Sequence, residues 1–479
     1  MKPGQEEHGA LGLEEAQSDA VRPQKPSEIG EPPLIVAGVT ARGLTQQVTQ
    51  MVTRPHVPTF WFCMFLFAVA LLFLMVGAIG VLMDVGVGKM GNNIPNAWVF
   101  PIANYVWWIE IAVGGSLLSS ILHVTNQDWR NSLNRLAEGV TLAGISCASL
   151  FPLLHMGRAW VFYWLIPYPN TMSIQPNFRS PLVWDVFGIG TYAAASILFW
   201  YLDMLPDLAS MRDQARSQGE YVSYGLLALG WRGGSRHWRL HNKASVLLAG
   251  ILTPLVFTVH TVVAFDFAIA LVPGWHSTDF PPYFVIGAIM AGISMVTMLA
   301  IPVRRHFQLK DIITERHLDN LVKLILTTSV LLAYIYVIEP FTAWYGGDQF
   351  EMYTVHNRAV GPAAWTFWTF IALGLLLPQS LWFKSVRTNT PRLFIVCFLI
   401  VFGMWVERYM LMVTALGRDF IPAAWATFSA TAEDNALLYG SIGLFLVVFL
   451  FLIRMLPMVS LHSVRRLLPF SKPAGGVVE

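Results

Sequence analysis

Ten mostly apolar stretches, each about twenty residues or longer, divide this chain, and no other feature limits its fold so severely. A helix needs about 20 residues to cross a hydrocarbon layer ~30 Å thick. Inside that layer every backbone N–H and C=O must be satisfied by the chain itself, so segments of this length fold as helices. The candidates are residues 58–83, 99–123, 139–163, 182–203, 244–272, 283–303, 321–344, 363–384, 391–416 and 436–457. Trp and Tyr crowd their ends (Trp98, Trp160, Trp164, Trp275, Trp344, Trp425), as an interfacial belt requires. Charged residues make up 13% of the 479, about half the share of a soluble protein. The expectation is an all-α integral membrane protein with about ten transmembrane helices.

Basic residues set the orientation. Of 31 Lys and Arg, 25 fall in the polar arm at residues 1–57, in the tail at 461–479, or in and beside alternate connections; the opposite connections hold Lys89, Arg179, Arg358 and Arg418. Positive charge stays on the cytoplasmic side, so both termini are expected there. The arm reads as mostly extended, and the stretch at 204–243 as a solvated linker. The hydrophobic domain spans 58–460.

Several function classes drop out. Basic residues form no stripe or nucleic-acid module. Cys63, Cys147 and Cys397 sit far apart inside apolar runs, without the spacing of a haem attachment, an iron–sulfur cluster or a zinc site. They read as small buried hydrophobes. His123, His155 and His260 fall at three depths, which argues against an axial haem pair. No resident metal, haem or iron–sulfur cluster is expected on this chain.

The informative residues are ionisable groups inside apolar segments, where each costs at least ~2.5 kcal/mol and marks function by default. His155 and Arg158 in "FPLLHMGRAWVFYW" lie near the outer end of segment three, three residues apart, and are expected on one helix face. A short hairpin returns Asp185 to their level. Asp266, Glu339, Glu407 and Arg408 fall in the same outer half. A second set, Glu110, His260, His123 and Asp203, descends inward and reads as a proton ladder. Snorkelling side chains and structural ion pairs explain either set equally simply. An outer pocket of His, Asp and Arg with aromatic walls suits a lipid-soluble quinol, whose hydroxyls need proton acceptors and whose ring needs an apolar slot. A secondary transporter would instead need broken helices at the midplane and a polar path across. A purely structural anchor is a further alternative.

The stretch "PLLHMGRAWVFYWLIPYPNTMSIQPNFRSPLVWDVF" resembles the NrfD/polysulfide-reductase membrane-subunit family, and within it most closely the ActC branch of alternative complex III. The resemblance extends over all ten segments. It implies two four-helix bundles, about 99–272 and 283–416, with flanking helices. It implies quinol oxidation near the outer surface, with His155 and Asp185 as catalytic groups and Arg158, Asp266, Arg408 and Glu407 binding quinol. The quinol would be menaquinone or ubiquinone. Implied partners are c-type cytochrome subunits, an iron–sulfur subunit on the periplasmic side, a paralogous membrane subunit and the lipids of a bacterial cytoplasmic membrane. The ActF-type proton-conducting branch and a quinone-reducing reductase anchor remain competing readings.

Overall fold

The computed structural model describes residues 34–36, 39–53 and 58–468, and among these there is no strand. Ten helices are long and apolar enough to cross a membrane. They are labelled α1 (Thr59–Val85), α2 (Val99–Val124), α3 (Asn134–His155), α4 (Pro181–Asp213), α5 (Ser235–Ala268), α6 (Phe280–His306), α7 (Glu315–Gly346), α8 (Ala364–Trp382), α9 (Thr390–Arg418) and α10 (Ala432–Met455). Successive spans alternate in direction. The C-terminal ends of odd helices therefore share one face, the His155 end, and Asp203 lies toward the other.

Helix α2 forms the centre. It is buried along nearly its whole length and packs against α3, α5, α6 and α9. Between membrane helices no hydrophobic force operates, so close van der Waals packing through small residues drives association. Gly114 of α2 meets Gly292 of α6 backbone to backbone; a Cβ on Gly114 would lie 2.5 Å from the Gly292 Cα. Likewise, a Cβ on Gly115 would lie 2.7 Å from the Ala137 carbonyl oxygen of α3.

Helix α1 shows the opposite pattern. Its buried residues, Ala68, Met75, Ala78 and Leu82, repeat at three-, four- and seven-residue intervals and form one narrow stripe against α10. Gly440 and Gly443 of α10 receive Met75 and Leu72. Cys63 points away from that stripe and is exposed, unlike buried Cys147 and Cys397.

Several boundaries differ from the sequence expectation. Helix α3 begins at Asn134 and stops at His155 rather than continuing to residue 163. Gly157 adopts φ +71°, a turn that an L side chain disfavours, and a 3-10 segment, Ala159–Leu165, follows. Helices α4 and α5 contain 33 and 34 residues, about 50 Å each at 1.5 Å per residue, longer than the hydrocarbon layer. The stretch at 204–243 is accordingly no loose linker. It holds the end of α4, a helix Gln218–Leu227 and the start of α5, wrapped round Met204, Leu208, Ala209, Ala228 and Trp231.

The arm also departs from an extended chain: Ala41–Thr53 is a helix with Leu44 and Val48 buried. Arg454 donates to its Val52 carbonyl and Arg465 to Thr45 Oγ1, each at 2.5 Å. Residues 1–33 of the arm and 469–479 of the tail lie outside the described residues. Helix α8 loosens into a π turn, Ile371–Leu376, ahead of Pro378, whose missing N–H removes a helical bond.

Candidate functional site

Among the described residues, most of the candidate ionisable side chains fall into three separate buried groups. The first occupies the His155 end between α2, α3, α4 and α5. Pro152 opens the last turn of α3, Phe151–His155. There the His155 ring lies beside the Pro101 carbonyl of α2, while Nε2 is buried without a partner. Three rings surround it, with centroids at 5.6 Å (Trp98), 5.9 Å (Tyr105) and 6.5 Å (Phe151). Tyr105 donates to Asp185 Oδ2 at 2.8 Å. The Asp185 and Asp266 carboxyls stand in hydrogen-bonding contact with each other. Apart from that carboxyl–carboxyl contact, Asp185 Oδ1 and Asp266 Oδ1 are buried with no hydrogen-bond partner, and His155 Nε2 has none at all. Each such atom costs about 1–3 kcal/mol. A free imidazole nitrogen and a carboxyl pair, walled by aromatic rings, are groups able to accept protons from a donor.

Arg158 does not belong to this group. It follows the helix with extended backbone (φ −126°, ψ 94°) and its side chain is exposed. The expected shared face with His155 fails because the helix ends between them. The connection that follows bares Trp160, Phe162, Tyr163, Trp164 and Ile166 beside the site.

The second group lies deeper, at the seam joining α2 and α5 to α6, α7 and α9. Arg408 Nε donates to Glu110 Oε1 at 2.5 Å, and its Nη2 pairs with the same carboxylate. Nη2 is also 3.4 Å from Glu407 Oε2. Tyr336 donates to Glu407 Oε1 at 2.6 Å, Tyr283 donates to the same oxygen, and the two hydroxyls are 2.9 Å apart. His260 Nε2 is 3.8 Å from Glu110 Oε1. The guanidinium lies 4.0 Å from the centroid of Phe284, and glycine at 287 leaves it room, since a Cβ there would come within 2.9 Å of Nη2. Glu407 and Arg408 thus join Glu110 and His260 instead of the His155 group, which corrects the expected outer pocket. Tyr105 and Glu110 are five residues apart, about 140° around α2, so one helix serves two centres on different faces.

The third group sits at the Asp203 end. Arg135 donates from Nε to Asp203 Oδ2 and from Nη2 to Asp207 Oδ2, each at 2.9 Å. Asn134 adds a bond to Asp203 at 2.9 Å. Arg135 Nη1 and Asn134 Oδ1 stay without a partner, so the network ties Asp203 to Arg135 and Asp207 without satisfying every polar atom. His123 bonds Ser245 Oγ at 3.0 Å. Beside Asp207, the ring of His462 stacks on Trp238 at 4.1 Å. Burial, with Arg466 adding to it, depresses the His462 imidazole to about 3. Burial likewise lowers Arg130, against the opposing pull of Asp203 and Glu138.

Sequence reasoning missed Tyr105, Tyr283 and Tyr336, because uncharged tyrosines carry no burial cost that singles them out. It also counted Arg135 among surface cations. Its offset of three residues from Glu138 on one helix was the available signal.

Comparison with known proteins identifies the family. Residues 86–418, covering α2 to α9, match the family described as "Polysulphide reductase, NrfD". The match is narrower than the ten segments over which the sequence resemblance was expected. A protein of Halobacterium salinarum, named as a putative membrane subunit of a dimethyl sulfoxide reductase, is 26% identical over 418 residues, which cover 80% of this chain and 90% of that protein.

Proposed function

This chain belongs to the NrfD family of polysulphide reductase membrane subunits, and from that premise we propose that His155, Asp185 and Asp266 form a quinol-oxidising site. The chain is a multi-pass integral membrane protein and a subunit of an oxidoreductase complex, of the type that meets quinones and an iron–sulfur partner. Within that class, we read it as the quinol-oxidising membrane subunit of an alternative complex III. Helices α2–α5 and α6–α9 are its two four-helix units, and its basic ends face the cytoplasm.

The carrying observation is the convergence of the buried, unpartnered His155 Nε2 and the buried Asp185–Asp266 carboxyl pair beside one aromatic wall. Quinol has two O–H donors and a flat apolar ring, which matches that set. Oxidation breaks both O–H bonds: one proton goes to His155 Nε2, the other to the Asp185–Asp266 pair, and two electrons go to an iron–sulfur cluster on the partner subunit. A donor from Tyr105 orients Asp185 beforehand, and the Pro101 carbonyl lies beside His155. The exposed aromatic connection at 160–166 supplies a surface at the same end for that partner. Electrons would pass from it to c-type cytochrome subunits.

The name of the H. salinarum relative favours a second reading, quinone reduction for a reductase. The same groups then donate protons, with electron flow reversed. Substituting His155→Ala, Asp185→Asn and Asp266→Asn in the assembled complex tests the site, by reduction of partner haems with quinol and oxidation of quinol analogues. Expected losses are at least about 100-fold for His155→Ala and Asp185→Asn, the lower end of what one positioned acid–base group contributes. Unchanged turnover in all three would sink the assignment. Turnover with quinone and a reduced partner, but none with quinol, selects the second reading.

A further inference from the structure

At the His155 end, but outside α2–α4, a half-open cavity of about 150 Å3 is lined by Gly274, His276, Glu339, Thr342, Glu351 and Arg358. That volume holds several waters, and its walls offer them partners. Arg358 donates from Nη1 to Glu339 Oε1 at 2.5 Å and from Nη2 to the Gly274 carbonyl at 3.1 Å, leaving Nε buried without a partner. Glu351 accepts the Gly274 N–H at 3.1 Å. The Glu339 side chain is 26% exposed, so water reaches it.

Three residues earlier on the same face of α7 stands Tyr336, whose hydroxyl bonds Glu407. From Glu407 the network continues through Arg408 to Glu110, with His260 beside it. Glu339 and Tyr336, one helical turn apart, thus stand between the cavity and Glu407, and Arg408 ties Glu407 to Glu110, without involving His155, Asp185 or Asp266. The deep group holds two carboxylates and one guanidinium, all at most 2% exposed. That leaves one negative charge over in a medium where unpaired charge is costly, and one bound proton neutralises it.

We propose that the Glu110–Arg408–Glu407 set holds one proton, on the Glu407 carboxyl, and that this station fills and empties through Tyr336 and the Glu339–Arg358 cavity. Tyr336 passes a proton by giving up its own while accepting another, so its charge is unchanged after each transfer. The charged and titratable groups facing the station are Glu110 (α2), His260 (α5), Tyr283 (α6), Tyr336 (α7) and Glu407 and Arg408 (α9), with Glu339 and Arg358 at the mouth. This deepens the proton role read for Glu110 and His260 and gives it a route separate from the quinol site.

The test is infrared spectroscopy of the assembled complex in membranes. A protonated-carboxyl band that disappears in Glu110→Gln or Glu407→Gln reports the station, and its rate of shift in D2O reports access. Glu339→Gln and Tyr336→Phe are each expected to slow that shift at least tenfold, whereas His155→Ala leaves it unchanged. Should Tyr336→Phe fail to assemble, Glu339→Gln at the water-facing mouth carries the test alone. The absence of such a band overturns the proposal, as does exchange slowed by His155→Ala and not by Glu339→Gln. No quinol turnover is read here, so failure of the quinol-site reading registers separately in the haem-reduction assay.

Discussion

Tyr105 reaches Asp185 with a 2.8 Å hydrogen bond across eighty residues of sequence, and its ring lies edge-on to His155 with centroids 5.9 Å apart. One tyrosine of the central helix therefore touches both proposed proton acceptors, which reside on different helices. Tyr105→Phe removes the bond and keeps the ring. A hydrogen bond to a charged group contributes about 1.5–3 kcal/mol, so kcat for quinol should fall between about 10- and 100-fold. Because the ring wall remains, KM should change far less. Equal changes in kcat and KM would point to a general packing defect.

The Glu110–Arg408 pair makes a prediction about stability. Removing one partner of a buried ion pair leaves an unpaired charge and costs about 3–5 kcal/mol, while replacing the whole set costs much less. Arg408→Met should sharply reduce the amount of folded protein recovered in detergent. The triple change Arg408→Met, Glu110→Gln, Glu407→Gln should recover a large part of it. Size-exclusion profiles and thermal unfolding read both, and a triple variant worse than the single one contradicts the pairing.

At the crossing of α2 and α6, Gly114→Ala places a Cβ 2.5 Å from the Gly292 Cα. Neither backbone can yield without parting the helices, so the cost should be at least the ~1–3 kcal/mol of overpacking. Gly77→Ala, at a position where a Cβ meets nothing within 4 Å, is the control. Melting temperatures should fall for the first and hold or rise for the second.

The His462 contact predicts a pH dependence outside the membrane. Its pKa in the fold is about 3, below the ordinary 6.5, because burial opposes the charged ring. The unfolded segment binds the proton more readily, so the stabilisation is complete above about 6.5 and is lost as pH falls toward 3. The loss is on the order of a few kcal/mol. Hydrogen exchange across Leu461–Arg465 should accelerate between those limits, and His462→Phe should flatten the response. Acceleration on raising pH beyond the intrinsic chemical rate contradicts it.

Much of the architecture was legible because the bilayer is an unforgiving solvent. It demands long apolar helices and confines charge, so ten spans and their alternation follow from residue type alone. Helix ends were less legible. Whether α4 stopped at residue 203 or ran on to Asp213 depended on packing round Trp231 and on the Arg135 network, neither of which has a local signature.

The candidate residues were visible too: His155, Asp185, Asp266, Glu110, Glu407 and Arg408 stand out because charge in an apolar run is costly. Their grouping was not. Sequence supplies depth along a helix, and by depth Arg408 belonged with His155. Which face of a helix meets which neighbour is set by rotation and close contact, through pairs such as Gly114 and Gly292. Those contacts turn Tyr105 toward Asp185 and Glu110 toward Arg408 on the same helix. Sequence determined the membrane fold and its costly residues; only the tertiary packing of α2 divided them into two centres.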